Sequence, residues 1–386
     1  MAPKTWLPLL LLLNSALAFA QFAHTDILII DFAAANGMTD VHAVDINEDG
    51  KLDILSSSNG YDRLEWMANL GNGQFSEPYV IDDVDYVAEL GYEAVQAADF
   101  DGDGDLDLAA LTRVNLLLYT NQGNGNFADS VSITADIDFG KDLHAADLDG
   151  DGAIDLLTAS IYDDKVAWYR NDGSGQFSGQ ILLSDQMNAA RAVETADLDG
   201  DGDLDVLAAS SLDDQLNWFE NEGGGQFSAP IPISQEVNGP WAIRAADLDG
   251  DGDTDLAVGS RYDRVLSWFE NNGDGQFSNR YIIETQVEDI EFIHIEDLNN
   301  DSRPELLLAL SESNQIIWYE NLGNGNFSSF FTLPSYVAEP VSIDAADMNG
   351  DGDMDILYAS NIAAGDARRQ QLGGFCIFSG TDRMVW

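Results

Sequence analysis

The chain of 386 residues is 45% apolar and carries 69 acidic against 16 basic side chains, a formal charge of −53. So acidic a chain repels nucleic acid and anionic membrane surfaces, whose binding depends on Lys and Arg, and its natural partners are divalent cations. A single cysteine, Cys376, excludes an internal disulfide, and no stretch past the leader reaches the roughly 20 apolar residues of a membrane-spanning helix.

Residues 1–20 have the make-up of a secretory signal peptide. Lys4 supplies the positive start, Leu7 to Leu13 the apolar run, and Ala18-Phe19-Ala20 a small-x-small cleavage site ahead of Gln21. The expectation is a secreted protein, extracellular or periplasmic once the leader is removed. Residues 21–30, with Gln21-Phe22 followed by Asp26 to Ile29, match the last strand of a repeat that fills the rest of the chain, 21–386.

The repeat is marked by an acidic stretch whose leading aspartate is Asp45, Asp99, Asp147, Asp197, Asp247, Asp297 and Asp347, in steps of 54, 48 and then 50. Before it runs an alternating segment with an aliphatic residue four positions ahead of the aspartate, as in a half-buried strand. After it comes a short apolar strand, then a third strand ending in an aromatic pair such as Trp168-Tyr169 or Trp218-Phe219, weakened to Trp66-Met67 and Leu118-Tyr119 in the first two copies. An NxGxGxF turn follows, its glycines suited to the positive φ of a tight hairpin, and then a fourth strand. Four strands per repeat of about 50 residues indicate a propeller blade, which completes its core only against its neighbours. The expected fold is therefore all-β, a seven-bladed β-propeller of four-stranded antiparallel blades closed by the N-terminal strand. In the last copy the third strand is expected at Asp382 to Trp386, with 361–381, including Arg368, Arg369 and Cys376, as an irregular insertion. A competing alignment makes Leu372 to Phe375 a shortened turn.

The acidic stretch reads D-x-D/N-x-D-G-x-x-D. Its oxygen-bearing positions, with position 7 supplying only a backbone carbonyl, give seven candidate ligand sets. They are Asp45, Asn47, Asp49, Lys51 and Asp53; Asp99, Asp101, Asp103, Asp105 and Asp107; Asp147, Asp149, Asp151, Ala153 and Asp155; Asp197, Asp199, Asp201, Asp203 and Asp205. The last three are Asp247, Asp249, Asp251, Asp253 and Asp255; Asp297, Asn299, Asp301, Arg303 and Glu305; and Asp347, Asn349, Asp351, Asp353 and Asp355. Hard oxygen donors on a glycine-bent loop suit Ca²⁺, and neither Cys nor His is present for a softer metal. Up to seven Ca²⁺ ions are expected, the sixth loop being the weakest because Asn300 and Ser302 stand where other copies have glycine. Strands flank the loop, and position 12 never carries the glutamate of an EF-hand.

Together these elements resemble the FG-GAP/VCBS repeat family and are similar to the propeller of integrin α subunits. The resemblance covers nearly all of the chain after the leader and implies a propeller with calcium in its hairpin loops; it implies no single activity.

If the acidic loops and NxGxG turns share one face, the opposite face carries the two-to-three loops and the connectors between blades. Variable loops on a rigid scaffold are where recognition sits, which makes Tyr61, Lys141, Tyr162, Arg191, Trp241, Arg261 and Tyr262 candidate ligand-binding residues. Three residues ahead of each acidic loop stand His42, Gln96, His144, Glu194, Arg244, His294 and Asp344, polar in every copy. Aimed at a central channel they would form a polar ring, whether a solvated lining or a ligand site.

The leading functional expectation is an exported calcium-binding module that binds or adheres to a protein or glycan. A polysaccharide lyase or hydrolase and a purely structural part of a surface assembly are the alternatives. The chain has no nucleophile elbow, HExxH or phosphate loop, so no enzyme is expected.

Overall fold

The computed structural model describes residues 27–30, 37–60, 62–83, 91–333, 338–361 and 375–378. Every regular element among them is a β-strand, and the main sheets are all four-stranded and antiparallel.

Each four-stranded sheet starts at the axis with a seven-residue strand: Met38–Val44, Tyr92–Ala98, Gly140–Ala146, Ala190–Ala196, Pro240–Ala246, Ile290–Glu296 and Pro340–Ala346. The acidic loop turns the chain into the second strand, for instance Asp155–Ser160 or Asp205–Ser210, whose six residues are all buried. Such a strand is covered on both faces by adjacent sheets, which explains its unbroken apolar run. The third strand brings its Trp into the space between sheets, and the fourth lies at the rim. Each apolar cluster joins residues of two adjacent sheets; Trp268 and Val287, for example, pack with Ile293, Leu306 and Tyr319. The core is thus a set of inter-blade layers.

The turns fit into these layers. At Gly225 and Gly275 a Cβ would come 2.3 and 2.5 Å from the rings of Trp168 and Trp218 in the preceding blade, and both glycines have φ above +70°. Side-chain space and backbone sign therefore both require glycine there.

The expectation of a seven-bladed propeller closed by the N-terminal strand is corrected to a propeller of six blades. Six blades are each made from one continuous stretch of chain, the innermost strands running from Met38–Val44 to Ile290–Glu296. The remaining sheet is composite: Pro340–Ala346 and Asp355–Ser360 are followed by Phe375–Phe378, and Ile27–Ile30 from the other end of the chain pairs onto its edge. It packs beside the first and sixth blades and is not a repeat of the same kind. The third strand of this sheet also differs from expectation. Phe375-Cys376-Ile377-Phe378, inside the stretch read as an insertion, pairs with Ile356 to Tyr358, since an apolar run of good strand formers suits an inner strand of this sheet better than the charged Asp382 to Trp386. The latter, with Arg368 and Arg369, lies outside the described residues.

Candidate functional site

Two features occupy opposite ends of the inner strands. At one end, the acidic loops are shaped by their own side chains. In the second loop the Asp99 carboxylate accepts the amides of Gly102 and Gly104 at 2.7 and 3.1 Å, Asp101 accepts that of Asp103, and Asp103 that of Asp105. These Asx-type bonds curl the loop and turn the carboxylates inward. In the sixth loop the same bonds reach Asp297 from Asp301 and Ser302. Asn300 and Ser302 there take the positive φ that glycine takes elsewhere.

The ninth position has a second duty. Asp205 is fully buried; one of its oxygens accepts the Leu198 amide at 2.9 Å and the other the Asn221 amide at 2.8 Å. Asn221 then donates through Nδ2 to the carbonyls of Leu204 in its own blade and Leu148 in the preceding one. The same staple recurs at Asn69, Asn121, Asn171, Asn271 and Asn321. Loop, turn and neighbouring blade are thereby tied at one carboxylate. Burial, partly offset by these amides, pushes this acid up to about 6 at Asp53, Asp107 and Asp155, to about 7 at Asp205, Asp255 and Asp355, and to about 8 at Glu305.

The residues fit a divalent cation in part of the loops. Oxygens of Asp99, Asp101 and Asp107, of Asp147, Asp149 and Asp155, of Asp197, Asp199 and Asp205, and of Asp247, Asp249 and Asp251 each lie within 4.8 Å of one another. Two ligands at calcium distances are at most about 5 Å apart, so each group can close on one ion. In the composite sheet, Asp355 Oδ1 is buried without a hydrogen-bond partner. Three loops also meet a cation of the chain itself: Lys51 bonds Asp49 at 2.7 Å, Arg170 reaches Asp149 and Asp151, and Arg303 bonds Asp301. Ordinary carboxylate–metal spacing therefore coexists with a competing guanidinium in the third loop.

At the other end every inner strand carries a register shift around its second residue. A bulge re-aims the side chain it carries, and here the shifted residues Thr39, Glu93, Lys141, Arg191, Trp241, Glu291 and Val341 all line one cavity of about 590 Å³ at the channel mouth. Glu291 accepts bonds from Arg191 at 2.9 Å, the Trp241 indole at 3.0 Å and Arg261 at 3.1 Å. The guanidinium groups of Arg191 and Arg261 also lie over the Trp241 ring, 3.1 and 4.1 Å from its centre. Glu93 similarly holds Asn59, Arg113 and Lys141. Burial, outweighed by Arg191, Lys141 and Arg261, leaves the Glu291 carboxyl below its ordinary range.

Of the residues anticipated from the connectors and loops, Arg191, Trp241 and Arg261 thus meet at Glu291 and Lys141 at the neighbouring Glu93. Tyr162 and Tyr262 remain exposed on loop tips, Tyr162 against Phe139 and Tyr262 over Gly239. Tyr61 lies outside the described residues. Glu93 and Glu291 were missed, although they occupy the same repeat position as Lys141, six before the leading aspartate.

Deeper in the channel the polar ring is an interacting set. Glu194 faces His144 and Arg244 at 3.6 and 3.5 Å, and His42 bonds Asp40 at 3.1 Å. Burial opposes the His42 charge, yet Asp40 and Asp344 outweigh it and raise the imidazole to about 9. His294 moves the other way, to about 4, because burial and the charges of Arg244 and His42 exceed the pull of Asp344. Its Nε2 is buried and makes no hydrogen bond. Among the described residues, no metal-compatible grouping involves the channel histidines.

A model of the FG-GAP-like repeat family matches residues 45–110, 99–158, 147–208, 197–258, 247–308 and 297–358. The chain belongs to the FG-GAP-like repeat family. Its six matches overlap, each running from one acidic loop through the second strand of the next repeat. No curated protein matches this FG-GAP chain. Among solved structures it is similar to an Agrocybe aegerita lectin described for specific recognition of non-reducing terminal N-acetylglucosamine, with 22% identity, a TM-score of 0.58, and coverage of 78% of this chain and 81% of that one. It is also similar to BBS1N, solved in complex with ARL6DN, at 14% identity and TM-score 0.60, covering 93% and 99% of the two chains. The V. cholerae biofilm matrix protein Bap1 follows at 10% identity and TM-score 0.50, covering 89% and 77%. At these identities the likeness establishes the propeller fold alone.

Proposed function

We propose that this FG-GAP-repeat propeller is an exported, calcium-stabilised recognition module whose ligand is a glycan seated in the cavity at the channel mouth. The observation that carries the reading is the cavity's construction: each inner strand delivers one bulged residue to a shared wall, and those residues differ from blade to blade while the scaffold repeats. A volume of about 590 Å³ suits a small ligand or the end of a chain. A glycan-recognising lectin stands among the structural neighbours, beside a propeller solved with a protein partner, and the small volume of the seat favours the glycan. Calcium in the acidic loops would hold the far ends of the hairpins and leave the mouth free, and the leader-like residues 1–20 support export into calcium-containing surroundings.

Glu291 is built to hold cations and not to serve as a general acid. Glu291 is held by two guanidinium groups and an indole, which keeps it ionised, whereas a general acid needs a raised carboxyl. The test is a glycan array probed with the calcium-loaded protein and with Trp241→Ala. Retention of one glycan class that the variant loses supports the reading. Binding unchanged by Trp241→Ala, or capture of proteins with no glycan retained, refutes it.

A further inference from the structure

Resting on that seat being the ligand site, we infer that its ligand is an acidic saccharide, recognised through a carboxylate by Lys141, Arg191 and Arg244.

Hydrogen-bonding capacity around the wall is unevenly used. Four of the acids on the wall are committed; Glu312 and Glu339 also line it, beside the sixth blade and the composite sheet. Asp40 accepts the amides of Val41 and Val95 and the Ser342 hydroxyl; Asp142 accepts those of Leu143 and Val193; Glu93 and Glu291 are each filled by three side-chain donors. The cations are not. A guanidinium has five N–H donors and an ammonium three, yet Arg191 makes one hydrogen bond, to Glu291, and Lys141 one, to Glu93 at 3.4 Å. Arg244 bonds its neighbouring Ile243 carbonyl and faces Glu194 at 3.5 Å. All three line the cavity from consecutive inner strands, Lys141 and Arg191 at the mouth and Arg244 below them in the channel, so their spare donors fall on one arc of its wall. What this arc lacks is acceptors.

The placement runs against composition. The chain has only 16 basic residues, and five of them, Arg113, Lys141, Arg191, Arg244 and Arg261, line this cavity or grip its buried carboxylates. In a field set by a net charge of −53, an anion is drawn only where cations are concentrated. Stacking of a neutral sugar is poorly served, because two guanidinium groups already lie over the Trp241 ring.

The experiment is calorimetric titration of the calcium-loaded protein with uronate- and sialate-containing oligosaccharides, each paired with its carboxyl-reduced neutral counterpart and with a short acidic peptide as a non-sugar carboxylate. One or more acidic sugars should bind about 10- to 100-fold more tightly than the reduced partner, the range of lost charge-assisted bonds. Arg191→Gln should remove that margin, and Lys141→Gln provides the same reading if Arg191→Gln melts early. Equal binding of acidic and reduced sugars, lost in Trp241→Ala, keeps the seat and overturns the carboxylate. Acidic peptide bound in place of any sugar overturns the saccharide. No Trp241-dependent binding of any probe overturns both readings.

Discussion

Removing one inter-blade staple tests whether the turn asparagines hold the ring together. Asn221 is buried, and its Nδ2 donates to Leu148 O at 2.8 Å and Leu204 O at 3.0 Å while Oδ1 accepts the Gly223 amide at 3.2 Å. Asn221→Ala leaves two carbonyls and an amide short of partners in a space that admits little water. At roughly 0.7 to 1.3 kcal/mol for each of the three bonds lost, the cost is about 2 to 4 kcal/mol. With an unfolding entropy near 2.1 cal/mol/K per residue over about 350 residues, that lowers the melting temperature by roughly 3 to 6 °C. Asn221→Asp keeps the shape but sets a carboxylate against both carbonyls, so it should melt lower still. The assay is differential scanning calorimetry with and without calcium. A melting temperature unchanged in Asn221→Ala, or a loss that appears only without calcium, would show that the asparagine acts through the loop and not across the blades.

Three further outcomes follow. Chelation should lower the melting temperature by several degrees, since each site filled to 100 times its dissociation constant adds about 2.7 kcal/mol; a melting curve indifferent to EDTA refutes the calcium reading. Arg170→Ala frees Asp149 and Asp151 and should tighten calcium at the third loop by up to about fivefold, the worth of an exposed ion pair, read from the Gly152 amide resonance during titration; weaker binding would mean that Arg170 is not a competitor. In the channel, the His42 ring should titrate near 9 and that of His294 near 4 by NMR. The stability from charged His42 is then complete below about 6.5 and lost as pH rises through about 9, while that from neutral His294 is present above about 6.5 and lost as pH falls towards 4; both rings titrating near 6.5 would refute the buried ring.

Much of the scaffold was legible because it repeats. The aliphatic residue four ahead of each aspartate, the nine-residue acidic loop and the Trp before the turn place inner strand, hairpin and inter-blade core without any tertiary information. The closing sheet was not legible in the same way. Its third strand, Phe375–Phe378, has none of the repeat's markers, whereas the Ile27–Ile30 strand that pairs with it across the length of the chain carries the last-strand pattern of residues 21–30. Nor could spacing reveal that the ninth-position acid is shared between the loop and the Asn of the turn, or that Arg170, distant from its loop in sequence, lies beside Asp149.

The cavity shows where the informative variation lay. Scaffold positions were recognised by their sameness, and the eye passes over a position that reads Thr39, Glu93, Lys141, Arg191, Trp241, Glu291, Val341. Yet in a repeat protein, a position that holds fixed register while changing chemistry is one where packing makes no demand and each blade is free to differ. The bulge supplies the physical reason, since it releases that side chain from the sheet faces and turns it to the mouth. Lys141, Arg191 and Trp241 were found through their connectors, whereas Glu93 and Glu291 were passed over as more acid in an acidic chain. Their burial beneath Arg and Lys reverses that reading: these two carboxylates do not add to the surplus charge, they hold the cations in place.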